Sequence, residues 1–256
     1  MAWPFLSAEW RHLAMLNYEV DPQILQPLVP RAVELDAFQG KTFLSIVGFL
    51  FLRTRVLGMP IPFHRNFEEV NLRFYVRRQA SDGTWRRGVV FVKEIVPKFA
   101  IAAVARWVYN ENYISCPMSS QVQLPDPSHN LNGTVEYRWV TAERQNILHA
   151  KFSGLPTHPT AGSEEEFITE HYWGYVGQRD SSALEYRVEH PTWRVWRATS
   201  AHLDCDIEGC YGPQFHAALS RQPSSAFVAD GSAIKVFRGE RLTCWPDGQI
   251  PTSLGR

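Results

Sequence analysis

Four polar side chains, Glu69, Asn71, Arg73 and Tyr75, occupy alternate positions of one segment, interleaved with Val70, Leu72, Phe74 and Val76. A period of two puts the first set on one face of a β-strand and the second on the other. If the polar face lines a pocket, Glu69 supplies an acid or base, and Asn71, Arg73 and Tyr75 supply hydrogen-bonding groups for a ligand. In a half-exposed sheet the same pattern is only the wetted face. Upstream, Arg11 shares alternate positions with Leu13 and Met15 and is therefore expected to point inward. A buried guanidinium needs an acid, either a ligand carboxylate held in its fork or a structural pair with Glu68 or Glu69. His64 follows Met59-Pro60-Ile61-Pro62 in a loop, within reach of a pocket mouth, although a surface or capping role is the plainer reading. Glu94, read on one face with Val90, Val92 and Val96, is either a carboxyl raised by burial and suited to proton transfer or the partner of an arginine.

Other chemistries find little support. His202, Asp204, Cys205, Cys210 and His216 are the one loose metal-like group, and their spacing fits no standard zinc signature, so no metal is expected. There is no nucleophile elbow, Walker loop or dinucleotide glycine fingerprint, and no cofactor is expected. The 26 basic and 26 acidic side chains cancel without long like-charged runs, which argues against a nucleic-acid footprint. The most apolar run, Thr42 to Leu52, is too short to span a bilayer, so no membrane association is expected. With four cysteines in no framework spacing and no secretory signal at the start, a cytoplasmic protein with reduced thiols is expected.

The elements that must position these residues are mostly strands. Trp10 to Val20, Thr42 to Val56 and Asn66 to Arg78 read as strands, the second apolar on both faces and so covered from both sides. Arg86 to Val96 forms a hairpin with the third around Ser81-Asp82-Gly83. Asp21-Pro22 opens a short helix, Ser163-Glu164-Glu165-Glu166 is a capping box for another, and Pro213 to Ser220 suits a third. Lys98 to Tyr109 has helical spacing and reads as the central helix. Shorter strands fit 119–124, 134–140, 147–152, 172–177, 184–190 and 193–201, with a closing hairpin over 226–238 turning at Asp230-Gly231. Roughly a dozen strands without β-α alternation imply an α+β, mainly antiparallel fold: a curled sheet or closed β-barrel with a few short helices packed outside. A single domain over 1–240 and a mobile C-terminal tail over 241–256 complete the expectation.

Three segments carry a resemblance: Trp10-Arg11-His12-Leu13 through Leu28-Val29-Pro30, Phe63-His64-Arg65-Asn66 through Val76, and Arg87-Gly88-Val89-Val90-Phe91 through Val96-Pro97. Together they resemble the bacterial family of domain of unknown function 2071, whose fold is thought to be that of acetoacetate decarboxylase. The resemblance implies an antiparallel barrel with a ligand pocket at its core. It carries the decarboxylase pocket arginines onto Arg11 and Arg106 and one of its glutamates onto Glu69. Where the family of decarboxylases has its lysine pair, this chain reads Pro117-Met118-Ser119. Schiff-base decarboxylation is therefore not expected. The function implied is binding, with acid/base conversion through Glu69, of a small carboxylate- or carbonyl-bearing molecule. The alternative is a non-catalytic binding or sensing protein on the same scaffold. The resemblance leaves a homo-oligomer open, with no interface legible.

Overall fold

In the computed structural model, residues 3–97 and 112–242 are described. The long strands are β1 (Leu6–Val20), β3 (Thr42–Val56), β5 (Phe67–Gln79) and β6 (Trp85–Val96), joined by the two-residue strands β2 (Glu34–Leu35) and β4 (Met59–Pro60). They are followed by β7 (Tyr113–Ser115), β8 (Met118–Gln123), β9 (Asn132–Thr141), β10 (Arg144–Ser153), β11 (Trp173–Gly177), β12 (Ala183–Glu189), β13 (Val195–Asp204), β14 (Ser225–Val236) and β15 (Glu240–Leu242). Adjacent strands run antiparallel except where β6 pairs β7 and β11. The sheet order runs β15-β12-β11-β6-β5-β3-β1-β14-β13-β10-β9-β8. β12 also pairs β14, through Val188 with Val236 and Glu189 with Lys235. The sheet thus curls around an interior. The chain is of the mainly antiparallel α+β class that its alternating segments imply.

Alternation sorts each central strand between two cores. On β5, Val70, Leu72, Phe74 and Val76 pack with Tyr137, Trp139, Leu148 and Phe152 from β9 and β10, which lie over the outer face. The opposite face of the same strands, with Leu13, Met15, Val47, Phe49, Phe51 and Phe67, turns to the interior. This double cover is why Phe43 to Leu52 is apolar on both faces, with Ser45 its one polar side chain. The helices are short. Asp21 caps Pro22–Leu25 by accepting from the Gln23 amide, and Ser163 caps Glu164–Thr169 by accepting from the Glu166 amide at 3.2 Å. Among the described residues no helix is long and apolar enough to cross a membrane. The helix read over Lys98 to Tyr109 lies outside the described residues, as does the tail expected over 241–256 except for Arg241 and Leu242, which pair with β12 as part of β15.

Two irregularities shape the interior. The expected hairpin turn at Asp230-Gly231 is absent. β14 runs on as one strand, and Gly231 adopts φ 77° opposite Arg11. A Cβ there would lie 2.0 Å from the Trp10 carbonyl oxygen, so a glycine is required by both conformation and space. On the other edge of β1 the register against β3 slips between Arg11 and Ala14, with His12 at φ 57°. That bulge inserts one residue and changes which face the preceding side chains take. Tyr137 secures it, its hydroxyl donating to the His12 carbonyl at 2.8 Å.

Candidate functional site

The interior contains a cavity of about 190 Å³. At about 10–15 Å³ for each water-sized position, that is room for on the order of a dozen. Three of the four residues of the β5 polar stripe, Glu69, Asn71 and Arg73, line it, and His64 lies along it too. Glu69 and Asn71 are each 2% exposed and Arg73 is 9% exposed. Asn71 donates from Nδ2 to Glu69 Oε1 at 3.0 Å, while its own Oδ1 has no hydrogen-bond partner among the described residues. The wetted-face alternative therefore does not apply to these positions.

Register sets the order of groups along the cavity. Trp10, Phe51 and Phe67 form one cross-strand row over β1, β3 and β5. Phe49 and Glu69 form the next, then Met15, Val47, Asn71 and Glu94, then Asn17, Ser45, Arg73 and Phe91. A second bulge, between β5 and β6 at Leu72/Arg73, carries Glu94 to the cavity face beside Phe91 and Val89, away from Val90 and Val92. Glu94 is 2% exposed there. The rows thus run from an aromatic end, through two carboxyl groups, to a guanidinium.

Arg73 is the least satisfied of these groups. Its Nη2 lies 4.0 Å from Met15 Sδ and its Cζ 5.8 Å from the Tyr75 ring centroid. Nε has no hydrogen-bond partner, and among the described residues no carboxylate reaches ion-pair distance of Arg73. Buried guanidinium ions ordinarily have an acid.

His171 also lines the cavity and was not singled out from the sequence. It follows the capped helix, and its ring lies 4.7 Å from that of Tyr75 and 5.5 Å from that of Phe167. Neither ring nitrogen makes a hydrogen bond among the described residues, and Nε2 is 3.9 Å from Asp36 Oδ2. Burial pushes the imidazole down to about 4, so it is neutral at pH 7. Burial alone would raise Asp36, but the Arg87 guanidinium beside it outweighs that and holds the carboxyl below its usual range. Arg87 donates from Nε to Asp36 Oδ2 at 2.7 Å.

Three expectations need correction or limits. Arg11 does not reach the cavity: the bulge at His12 places Trp10 and Leu13 on the inner face and Arg11 on the other. Its side chain, 35% exposed, pairs with Glu9 at 2.8 Å, not with Glu68 or Glu69, and also donates to the Gly231 carbonyl. Tyr75 is buried beyond the cavity lining. Ser45 donates its one hydroxyl hydrogen to Asn17 Oδ1, so the 2.7 Å contact between Ser45 and Tyr75 uses the tyrosine hydroxyl as donor. Arg106 lies outside the described residues. His64, half-buried, contacts the Pro62 carbonyl oxygen through Nδ1 at 2.8 Å.

Trp10 and Tyr113 are among the further lining residues that sequence reasoning missed, Trp10 because alternation counted through the bulge assigns it to the wrong face. No lysine among the described residues lines the cavity. Of the metal-like group, Asp204 pairs with Arg144 and His216 with Glu208, and among the described residues no three such ligands converge.

Known proteins resemble the chain over most of its length. The uncharacterized protein YqjF of Bacillus subtilis is 27% identical over 206 residues, covering 77% of this chain and 76% of its own. A structure of the enduracididine biosynthesis enzyme MppR complexed with pyruvate matches with a TM-score of 0.66 at 14% identity, covering 95% of this chain and 92% of that one. Acetoacetate decarboxylase from Legionella pneumophila matches with a TM-score of 0.63 at 13% identity, covering 94% and 88%. At these identities the structural likeness is one of fold, and the fold is acetoacetate decarboxylase-like. The family model of DUF2071, described as an uncharacterized conserved protein, matches residues 7–233, and the chain belongs to that family.

Proposed function

We propose that the interior cavity binds a small carboxylate- or carbonyl-bearing molecule, with Arg73 in place of Arg11 as the anion anchor and Glu69 as the acid/base group. The carrying observation is the Arg73 guanidinium, buried at a cavity wall with no acid at ion-pair distance among the described residues. A ligand carboxylate would supply that partner through charge-assisted hydrogen bonds. Glu69 stands four residues from Arg73 on the same strand face, with Asn71 between them donating to its Oε1. The pyruvate complex of MppR, a neighbour in fold, is consistent with an acid of this kind. Pro117-Met118-Ser119, where the resemblance would put the lysine pair, argues against an imine route and favours proton transfer at a carbon next to a carbonyl. The same gap also supports the second reading, a binding or sensing protein without turnover.

The test is a thermal-shift series with pyruvate and other short keto, hydroxy and dicarboxylic acids on wild type, Arg73→Met, Arg11→Ala and Glu69→Gln. A ligand at a hundred times its dissociation constant stabilises the fold by about 2.7 kcal/mol. Wild type and Arg11→Ala are expected to respond alike and Arg73→Met to lose the response. Loss in Arg11→Ala with retention in Arg73→Met would sink the assignment. Turnover that disappears in Glu69→Gln while binding persists separates the enzyme from the sensor.

A further inference from the structure

We infer that the ligand of this site is an amphiphilic acid, a carboxylate carrying an extended apolar tail, and not an acid as short as pyruvate. The inference rests on the anion-anchor reading above and specifies what the rest of the molecule must be. The strand rows place the one guanidinium, Arg73, at the end away from the aromatic row, with Glu94 opposite Asn71 and Glu69 opposite Phe49 between them. From Arg73 the inward positions of β5 pass Asn71 and Glu69 and end on Phe67, six residues away, or roughly 20 Å along a strand. At that far end Phe67 stacks on Phe51 at 4.7 Å, and Trp10 meets Phe49 and Phe51 edge-on at 5.5 and 5.8 Å.

A molecule the size of pyruvate, held at Arg73, would leave this aromatic wall facing water. Apolar surface of that extent gains by being covered. Trp173, on β11, also lines the cavity. The segment that leads out of the cavity has the same character. Val56 and Ile61 line the cavity, while Leu57, Met59 and Phe63 between and beside them are exposed, Phe63 by 92%. Leu57 and Phe63 sit at φ 51° and 60°, a costly conformation for bulky side chains that recurs at ligand-binding sites. The order of the rows then assigns each part of the ligand: carboxylate at Arg73, the carbon beside it near Glu69 and Glu94, tail against Phe49, Phe51, Phe67 and Trp10.

The test is calorimetric titration of the full-length protein with straight-chain 2-oxo acids from pyruvate to 2-oxooctanoate, and with 1-octanol as the uncharged tail. Affinity is expected to rise about fourfold for each added methylene. Phe67→Leu is expected to flatten that slope, and Arg73→Met to weaken the acids while sparing 1-octanol. If pyruvate binds as tightly as 2-oxooctanoate, or the longer acids are excluded, the tail is overturned and the anion anchor stands. If 1-octanol matches 2-oxooctanoate and Arg73→Met changes neither, the anchor fails and this inference with it. Failure of every compound to bind wild type overturns both.

Discussion

Replacing Arg73 with methionine should strengthen the empty protein while weakening its hold on acids. In the structure the guanidinium's described contacts are a sulfur at 4.0 Å and a ring centroid at 5.8 Å, near the limit at which a cation and an aromatic face still attract. Such a contact is worth about 0.5–2 kcal/mol. Keeping an ion of this size nine-tenths buried at a cavity wall costs about 2–3 kcal/mol even with cavity water beside it. Methionine keeps the apolar stem against Met15 and Tyr75 and removes the charge. The balance favours the variant by about 1–2 kcal/mol, and each kcal/mol moves the melting temperature of a chain this long by about 2–4 °C. Losing a buried charge pair costs a bound acid about 2–5 kcal/mol, a drop in affinity of about thirtyfold to several thousandfold. Chemical denaturation of the ligand-free proteins and calorimetry with 2-oxooctanoate measure the two effects separately. A variant that melts several degrees lower than wild type would show that Arg73 is held structurally, and the argument for a missing anion would collapse.

Other outcomes follow from particular contacts. Gly231→Ala, forced to accept φ 77° with its Cβ against the Trp10 carbonyl, should lose at least about 2 kcal/mol of stability in urea titration; a neutral result would mean the backbone at Gly231 is not rigid. His171 is unprotonated in the folded chain down to about pH 4, whereas the unfolded chain takes up that proton near 6.5. Stability should therefore decline as pH falls from about 6.5 to 4, by about 3 kcal/mol from this residue. In His171→Gln the decline over the same window should be smaller by that amount, and superimposable pH profiles would refute it. Arg11→Ala removes a half-exposed pair with Glu9 and should cost at most about 1 kcal/mol in the same titrations.

The fold was largely legible because its long strands alternate cleanly. β3 spans Thr42–Val56 as expected, and β5 and β6 differ from expectation by a residue at their ends. Capping chemistry marked the helices after Asp21 and Ser163, both borne out by side chain-to-amide bonds. What alternation could not carry was its own interruption. Arg11 and Glu94 were assigned to the wrong faces because each lies next to a one-residue bulge, and Asp230-Gly231, a good turn pair by composition, stays within the continuous strand β14 instead. His171 sits at a junction between a short helix and a strand, where no periodicity points it anywhere. Its proximity to Asp36 depends on contacts 135 positions apart in the chain, which only tertiary structure provides.

The division of each central strand between two cores has a consequence for how this protein can change. Along β5 the inward positions 67, 69, 71 and 73 line the cavity, while 70, 72, 74 and 76 pack against β9 and β10 and take no part in it. Substitutions in the first set can reshape specificity while the second set continues to hold the layers together. A chain built this way can change its cavity lining by a few steps at alternate positions while its outer layer stays packed. A search for relatives of such a chain by sequence is then better anchored on the outward-facing hydrophobic positions, which hold the layers together, than on those that line the cavity.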